Sequence, residues 1–181
     1  RTFHNYDAGG LLDWEVSASQ RETMASADLV VLTRYEEIAP VFERLVQVPT
    51  RGQRVVDFAD AAGVALADVD LMVDRRDLAD VCIFGISPRE HALREKLQTL
   101  ASAHHGLFVI TLAEEGAQAS MGGRLFSQPA VPVADVVDTT GAGDCFAAHF
   151  LSSWSSTDDL DAALSAGCIE ASCVIQQRGA S

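Results

Sequence analysis

Polar and apolar positions along this chain follow two rhythms. Four short runs are almost wholly apolar: Asp28–Thr33 (DLVVLT), Arg54–Phe58 (RVVDF), Val81–Ile86 (VCIFGI) and Leu107–Leu112 (LFVITL). Near-continuous runs of this length predict strands covered on both faces. Between them, helical spacing predicts helices over Ala39–Gln47, roughly Leu66–Arg75 and Pro88–His104. The third is the clearest, with Leu93, Leu97 and Leu100 repeating at helical intervals. Ser87 is placed to cap it and Pro88 suits its first turn. His104, His105 and Gly106 end it, with imidazoles near the negative pole and glycine just past the last turn.

Alternation of strands with helices implies right-handed crossovers and a parallel sheet. After Leu112 the pattern changes. Gly116–Met121 and Arg124–Gln128, divided by Gly122 and Gly123, read as an antiparallel hairpin. Val131–Val137 predicts one more strand, and two helices follow over Gly143–Trp154 and about Asp158–Gln177, the second with Thr157 as its N-cap. The expected class is α/β: three layers, α/β/α, around a mainly parallel central sheet with an antiparallel hairpin towards the C-terminus. No internal repeat, low-complexity tract or long linker divides residues 1–181, so one domain is expected.

Composition narrows the partners. Thirteen Lys and Arg against 26 Asp and Glu give a formal charge of −13, which argues against nucleic acid or an anionic membrane. An anionic ligand would need local help from backbone amides or a cation. Cys82, Cys145, Cys168 and Cys173 show no metal-type spacing, and three lie in apolar segments expected to be buried. They read as reduced thiols of a cytoplasmic protein. No apolar run approaches the ~18–20 residues of a membrane span, and no signal-peptide pattern opens the chain. It begins at Arg1, already in the strand-like RTFHNY, and reads as part of a longer protein.

The most informative stretch is DTTGAGD, Asp138 to Asp144, which leads straight into the apolar CFAAHFL. It falls between a predicted strand and a predicted helix, where α/β proteins usually place ligands. The first amides of a helix lack intrahelical partners and carry partial positive charge. Gly141, Ala142 and Gly143 have little or no side chain, so a phosphoryl group can approach their N–H groups. No GK[ST] follows, so the loop is not a Walker A motif, and GAGDCF lacks the third glycine of a dinucleotide fingerprint. Asp144 is a helix-start aspartate, which is commonly a cap. Beside an anion hole it is also a candidate general base for an alcohol attacking a phosphate.

DTTGAGDCF, with TLAEEGA at Thr111–Ala117 upstream, resembles the signature of the ribokinase, or PfkB, family of carbohydrate kinases. The resemblance runs over essentially the whole chain and implies a ribokinase-like fold that transfers the γ-phosphate of ATP to a sugar hydroxyl. Carried over by position, it makes Asp144 the base, and Gly141, Ala142, Gly143 and the Asp144 amide the anion hole. Thr111, Ala113 and Gly116 would lie against ATP, with Gly167 and Cys168 near the adenine. Asp138 and Thr140 match positions that hold a monovalent cation such as K⁺ in some relatives; their other role is turn stabilisation. The family's NxxE element, which arranges Mg²⁺, is here Ser87-Pro88-Arg89-Glu90, leaving Glu90 to act through water or simply as a first-turn acid. Ala113 replaces a glycine of TLGxxG, and His149 stands where glycine or alanine is usual, five residues beyond Asp144 and expected in packing or solvent contact.

VVDFAD (Val55–Asp60), LREKL (Leu93–Leu97) and IQQRGA (Ile175–Ala180) resemble the fructosamine, or fructoselysine, kinase branch. Asp57 and Asp60 are then candidates to bind acceptor hydroxyls or an amino group, or else to cap the next turn. The family's glycine-rich substrate segment and β lid do not occur in this sequence, so the chain alone is expected to be inactive, and the dimer that relatives form through the lid is not visible in it. Other readings within the fold are a nucleoside kinase, a ribokinase or a fructokinase. A catalytically silent nucleotide-binding relative is the reading from a different class.

Overall fold

The computed structural model describes residues 7–61, 69, 79–103 and 106–179, except the side chain of Asp60. The strand-like Arg1–Tyr6, nearly all of the helix expected over Leu66–Arg75, and His104 and His105 lie outside these residues. Six strands form one sheet in sequence order: β1 (Leu29–Thr33), β2 (Gln53–Asp60), β3 (Val81–Gly85), β4 (Leu107–Thr111), β5 (Ala117–Met121) and β6 (Arg124–Gln128). β1 to β4 run parallel; β5 pairs antiparallel with β4, and β6 antiparallel with β5. This is the three-layer α/β/α arrangement expected from the sequence.

Strand alternation sorts the core into two halves. Val56, Phe58, Cys82, Phe84, Phe108 and Ile110 point to one face. There they meet Phe42 and Val46 of α2 (Ala39–Val46) and Leu93, Leu97 and Ala101 of α3 (His91–Ala103). Phe58 stacks on Phe84 with centroids 4.7 Å apart, and Phe84 tilts onto Phe108 at 5.6 Å. Val55, Val81, Ile83, Leu107 and Val109 point to the other face. Phe146, Phe150 and Trp154 of α4 (Ala142–Thr157) and Ala163 and Leu164 of α5 (Leu160–Val174) cover it. Each fully buried Phe, Leu or Val here contributes about 1.5–3 kcal/mol.

The first four residues of β3 and of β4 are apolar and buried because both faces are covered, as the sequence suggests. β1 differs. Among the described residues it is the outermost strand, and Val31 is 50% exposed while Val30 and Leu32 are buried.

Four boundaries depart from expectation for local reasons. Val131–Val137 has no ladder partner; it ends by donating the amides of Val137 and Asp138 to the carbonyl of Ile175, just past α5. α3 begins at His91, because Ser87 to Glu90 close a separate turn first. α5 is capped by Asp159, whose carboxylate accepts from Ala162 N at 3.0 Å. Thr157 instead turns its hydroxyl back to Ser153 O. Finally, α1 (Ala18–Ser26) has no helical spacing of apolar residues to predict it, although the reciprocal Ser17–Gln20 capping box that starts it is readable in SASQ. The four cysteines are free thiols, but only Cys82 and Cys168 are buried; Cys145 is half-buried and Cys173 exposed.

Candidate active site

The carboxyl ends of β2, β3 and β4 lie together, and on the α4 side they present Asp57, Gly85 and Thr111. Asp57 is level with Thr33 on β1 and Ile83 on β3, and Gly85 is level with Thr111 on β4. Asp57 therefore occupies a place in the layer that Ile83 and Val109 fill with hydrocarbon. Burial accordingly raises its pKa above the ordinary carboxylate range, and the charge of Asp144 pushes it the same way; the amide of Ala59 opposes both, donating to Oδ1 at 2.8 Å. Ala59 holds φ +54° where the β2–β3 register slips, a bulge that ends the pairing beside the site. Sequence reading picked out Asp57 but gave no sign of this bulge.

Opposite the strand ends is the start of α4. Gly141 enters the helix at φ +81°, a left-handed conformation that favours glycine. Asp138 shapes the loop before it. Its Oδ1 accepts from the Thr140 amide at 3.0 Å and the Thr140 hydroxyl at 2.6 Å, and its Oδ2 accepts from Gly179 N at 3.2 Å. The loop is thus tied to the chain beyond α5, a link with no local sequence signal. The Ala142 amide turns back to Thr139 O at 3.2 Å and Cys145 N bonds Gly141 O at 2.9 Å. The amides of Gly141, Gly143 and Asp144 meet no acceptor among the described residues. Gly143 and Asp144 are exposed, and a methyl group added at Gly143 would touch nothing within 4 Å.

Unspent N–H groups at a helix start are able to receive an anion, and a carboxylate among them, here Asp144, is able to take a proton. Cys145 is no rival nucleophile: partial burial raises its thiol pKa, and Glu170 and Cys173 add to the rise. His149 is exposed. A cleft of about 580 Å³ lies at the other end of the sheet, near Asp28, Arg51, Asp80 and Trp154. It opens at the amino ends of the parallel strands, away from the loop, whereas α/β proteins usually place ligands at the carboxyl ends.

The pfkB family carbohydrate kinase profile matches residues 21–181. The chain belongs to this family. It is 31% identical over 182 aligned residues to a fructoselysine 6-kinase of Shigella flexneri, covering 99% of this chain and 66% of that protein. Among solved structures, the adenosine kinase of Sinorhizobium meliloti superposes with a TM-score of 0.74 at 23% identity, covering 93% of this chain and 55% of that one. A double-mutant fructokinase from Vibrio cholerae O395, whose crystal structure holds fructose, ADP and a potassium ion, superposes at 0.65 with 20% identity, covering 92% and 60%. The chain thus spans 66% of the curated relative's length and less of the solved ones.

The remaining pfkB-type positions have local structural duties as well. Ala113 stands at φ +46°, which gives a physical reason for the glycine usual there. Gly116, at φ +97°, lies so close to the Gln128–Ala130 backbone that a Cβ would come within 2.1 Å of Gln128 O. Arg94 Nη1 bonds Glu115 Oε2 at 3.0 Å and fastens this turn to α3, a contact invisible at the sequence level. Thr111 reaches Phe84 O only at 3.4 Å. Gly167 and Cys168 are buried between α4 and α5, where a Cβ at Gly167 would stand 2.7 Å from the Phe146 ring. Glu90 Oε2 accepts from Ser87 N at 2.9 Å. No group of three or more His, Cys, Asp or Glu able to hold a metal occurs among the described residues. A metal here fits as one shared with nucleotide phosphates and water, the usual habit of Mg²⁺. No helix among those residues is long and apolar enough to cross a membrane.

Proposed function

We propose that the protein is an ATP-dependent kinase that phosphorylates a hydroxyl group of a sugar, in a single ribokinase-like domain of which this chain is part. One observation carries the reading: the amides of Gly141, Gly143 and Asp144 at the start of α4 have no acceptor among the described residues, and the Asp144 side chain beside them is exposed. Gly141, Gly143 and Asp144 donate their N–H groups to the transferring phosphate. Ala142 holds the turn, its own amide being spent on Thr139. The acceptor oxygen forms a bond to the γ-phosphorus, the bond from that phosphorus to the β,γ-bridging oxygen breaks, and ADP leaves with the electron pair. Asp144 takes the hydroxyl proton, a contribution of ~10²–10⁴ in rate. Mg²⁺ bound with the nucleotide would supply charge neutralisation on the phosphates, and Glu90 would be the residue of this chain to order its water.

Thr111, Ala113 and Gly116 form the nucleotide side. Gly167 and Cys168 stand behind it as packing that sets α5 against α4. Asp138 and Thr140 hold the loop: both carboxylate oxygens of Asp138 already accept from N–H or O–H donors, so we assign them no potassium ion. The acceptor lies towards Asp57 and Asp60. The Shigella relative acts, by its name, on fructoselysine, and the local likeness of VVDFAD supports a fructosamine as acceptor. The test is ADP release by the full-length protein with fructosamines, fructose, ribose and adenosine. Turnover greatest with a fructosamine is expected; turnover greatest with adenosine would make it a nucleoside kinase, and ATP binding without turnover of any acceptor would make it a silent relative.

A further inference from the structure

The turn between β4 and β5 carries strain. Ala113 holds φ +46°, a left-handed conformation that suits glycine and costs an alanine energy. Strained residues of this kind persist only where their surroundings fix them. Three main-chain bonds close the turn from inside: Glu115 N to Leu112 O at 2.9 Å, Gly116 N to Ala113 O at 3.1 Å and Leu112 N to Gly116 O at 2.7 Å. Gly116 is wedged against the Gln128–Ala130 backbone. The wedge fixes the end of the turn nearest β5 and leaves Ala113 to Glu115 exposed on the outer side.

Arg94 ties down that outer side. Its main-chain N–H bonds Glu90 O at 3.0 Å, and Glu90 Oε2 accepts from Ser87 N at 2.9 Å, so its base is set on the closed turn that follows β3. Its side chain is only 22% exposed and spans to the neighbouring turn. Nη1 donates to Glu115 Oε2 at 3.0 Å, and Nη2 lies 3.2 Å from His91 Nδ1. Among the described residues this is the one side-chain hydrogen bond made to Ala113–Gly116. A partly exposed ion pair adds little to global stability. A planar guanidinium held at two points fixes direction instead.

We infer that Arg94 is a positioning residue for the nucleotide: by gripping Glu115 it keeps the Ala113–Gly116 turn in its left-handed form, and so stands in for the glycine that the backbone at position 113 calls for. This rests on that turn being the nucleotide side of a kinase site, as proposed above. Without the grip, Ala113 relaxes out of the left-handed region, and a nucleotide must restore the strain when it binds. Restoring it costs about 5–30-fold in nucleotide affinity. Arg94 acts through Glu115 and makes no contact with the nucleotide itself.

Calorimetry with Mg²⁺-ADP and the full-length protein tests this, with phosphorylation of acceptors followed in parallel. Arg94→Gln and Glu115→Gln are each expected to bind ADP about 5–30-fold more weakly, and the double variant no more weakly than either. Thermal melts should move by less than about 4 °C, since the pair is partly exposed. In an Ala113→Gly background, where the strain is gone, Arg94→Gln should cost less than about 2-fold. Unchanged affinity in both single variants overturns the inference. So does a loss confined to Arg94→Gln, because the guanidinium would then hold the nucleotide directly, and so does an equal loss in the glycine background. If Arg94→Gln does not fold, Glu115→Gln in the two backgrounds makes the same comparison. The expected pattern of ADP binding without phosphorylation of any acceptor supports the inference and ends the kinase reading. Phosphorylation by wild type with ADP affinity unchanged in every variant does the reverse, and a wild type that binds no ADP ends both.

Discussion

Gly143 offers a clean separation of stability from chemistry. It sits in the first turn of α4, where glycine costs about 0.5–1 kcal/mol relative to alanine if nothing else requires it. Packing does not require it, since an added Cβ meets no atom within 4 Å, and its φ is not left-handed. Gly143→Ala is therefore expected to stabilise the fold by up to about 1 kcal/mol, or ~2–4 °C in Tm for a domain of this size. The same methyl leans towards the helix N-terminus, as every helical Cβ does, and so towards the space above the unspent amides. Displacing a phosphoryl oxygen from one such amide forfeits ~1.5–3 kcal/mol, or roughly 10–100-fold in kcat/KM. Thermal melts and steady-state kinetics of the full-length protein measure both effects. A variant that melts higher and turns over slower matches this reasoning. Unchanged kinetics would mean that no anion sits over these amides, and a lower Tm would mean that the helix start is packed differently.

Other substitutions probe neighbouring parts. Ala113→Gly relieves a left-handed alanine, a conformation costing ~1–2 kcal/mol, against ~0.4–1 kcal/mol of added chain entropy; a net gain of about 0.5–1 kcal/mol is expected in urea melts, and Ala113→Val should lose stability. Gly167→Ala, which helix propensity alone would favour, is expected to destabilise by about 1–3 kcal/mol because its Cβ meets the Phe146 ring and carbonyl; a neutral result would show that α5 does not pack this closely on α4. Asp57 has its folded pKa raised, so it binds its proton more tightly folded than unfolded. Its ionisation therefore costs stability as pH rises through the folded value, and none of that cost remains below the unfolded one, near 3.8. Asp57→Asn should thus melt above wild type at neutral pH, with the gap closing on acidification; a gap that widens in acid would contradict the burial.

Much of this was legible in the chain. Continuous apolar runs gave β3 and β4, Leu93 and Leu97 gave the inner face of α3, and DTTGAGD gave the loop and the helix it opens, because each depends on neighbours in sequence. What the sequence hid depends on distant partners. Val131–Val137 has strand composition, but no neighbouring strand takes its backbone groups, and its end goes to Ile175 O. Val31 looks like core in the sequence but is half exposed, because β1 is the outermost strand among the described residues. The Asp138–Gly179 latch spans 41 residues, and the Arg94–Glu115 clamp joins elements whose contact only the fold creates. Gly167 and Cys168, expected near the adenine, also have a packing duty that their sequence does not show: a Cβ at Gly167 would stand 2.7 Å from the Phe146 ring of α4, and Cys168 is buried.

The most direct test of the proposed chemistry is Asp144→Asn in the full-length protein, with nucleotide binding and phosphoryl transfer measured separately. Asparagine removes the base while leaving its backbone amide in the anion hole. We expect ATP affinity within about 3-fold of wild type and kcat lower by ~10²–10⁴. Transfer within a few-fold of the wild-type rate would contradict the role of Asp144.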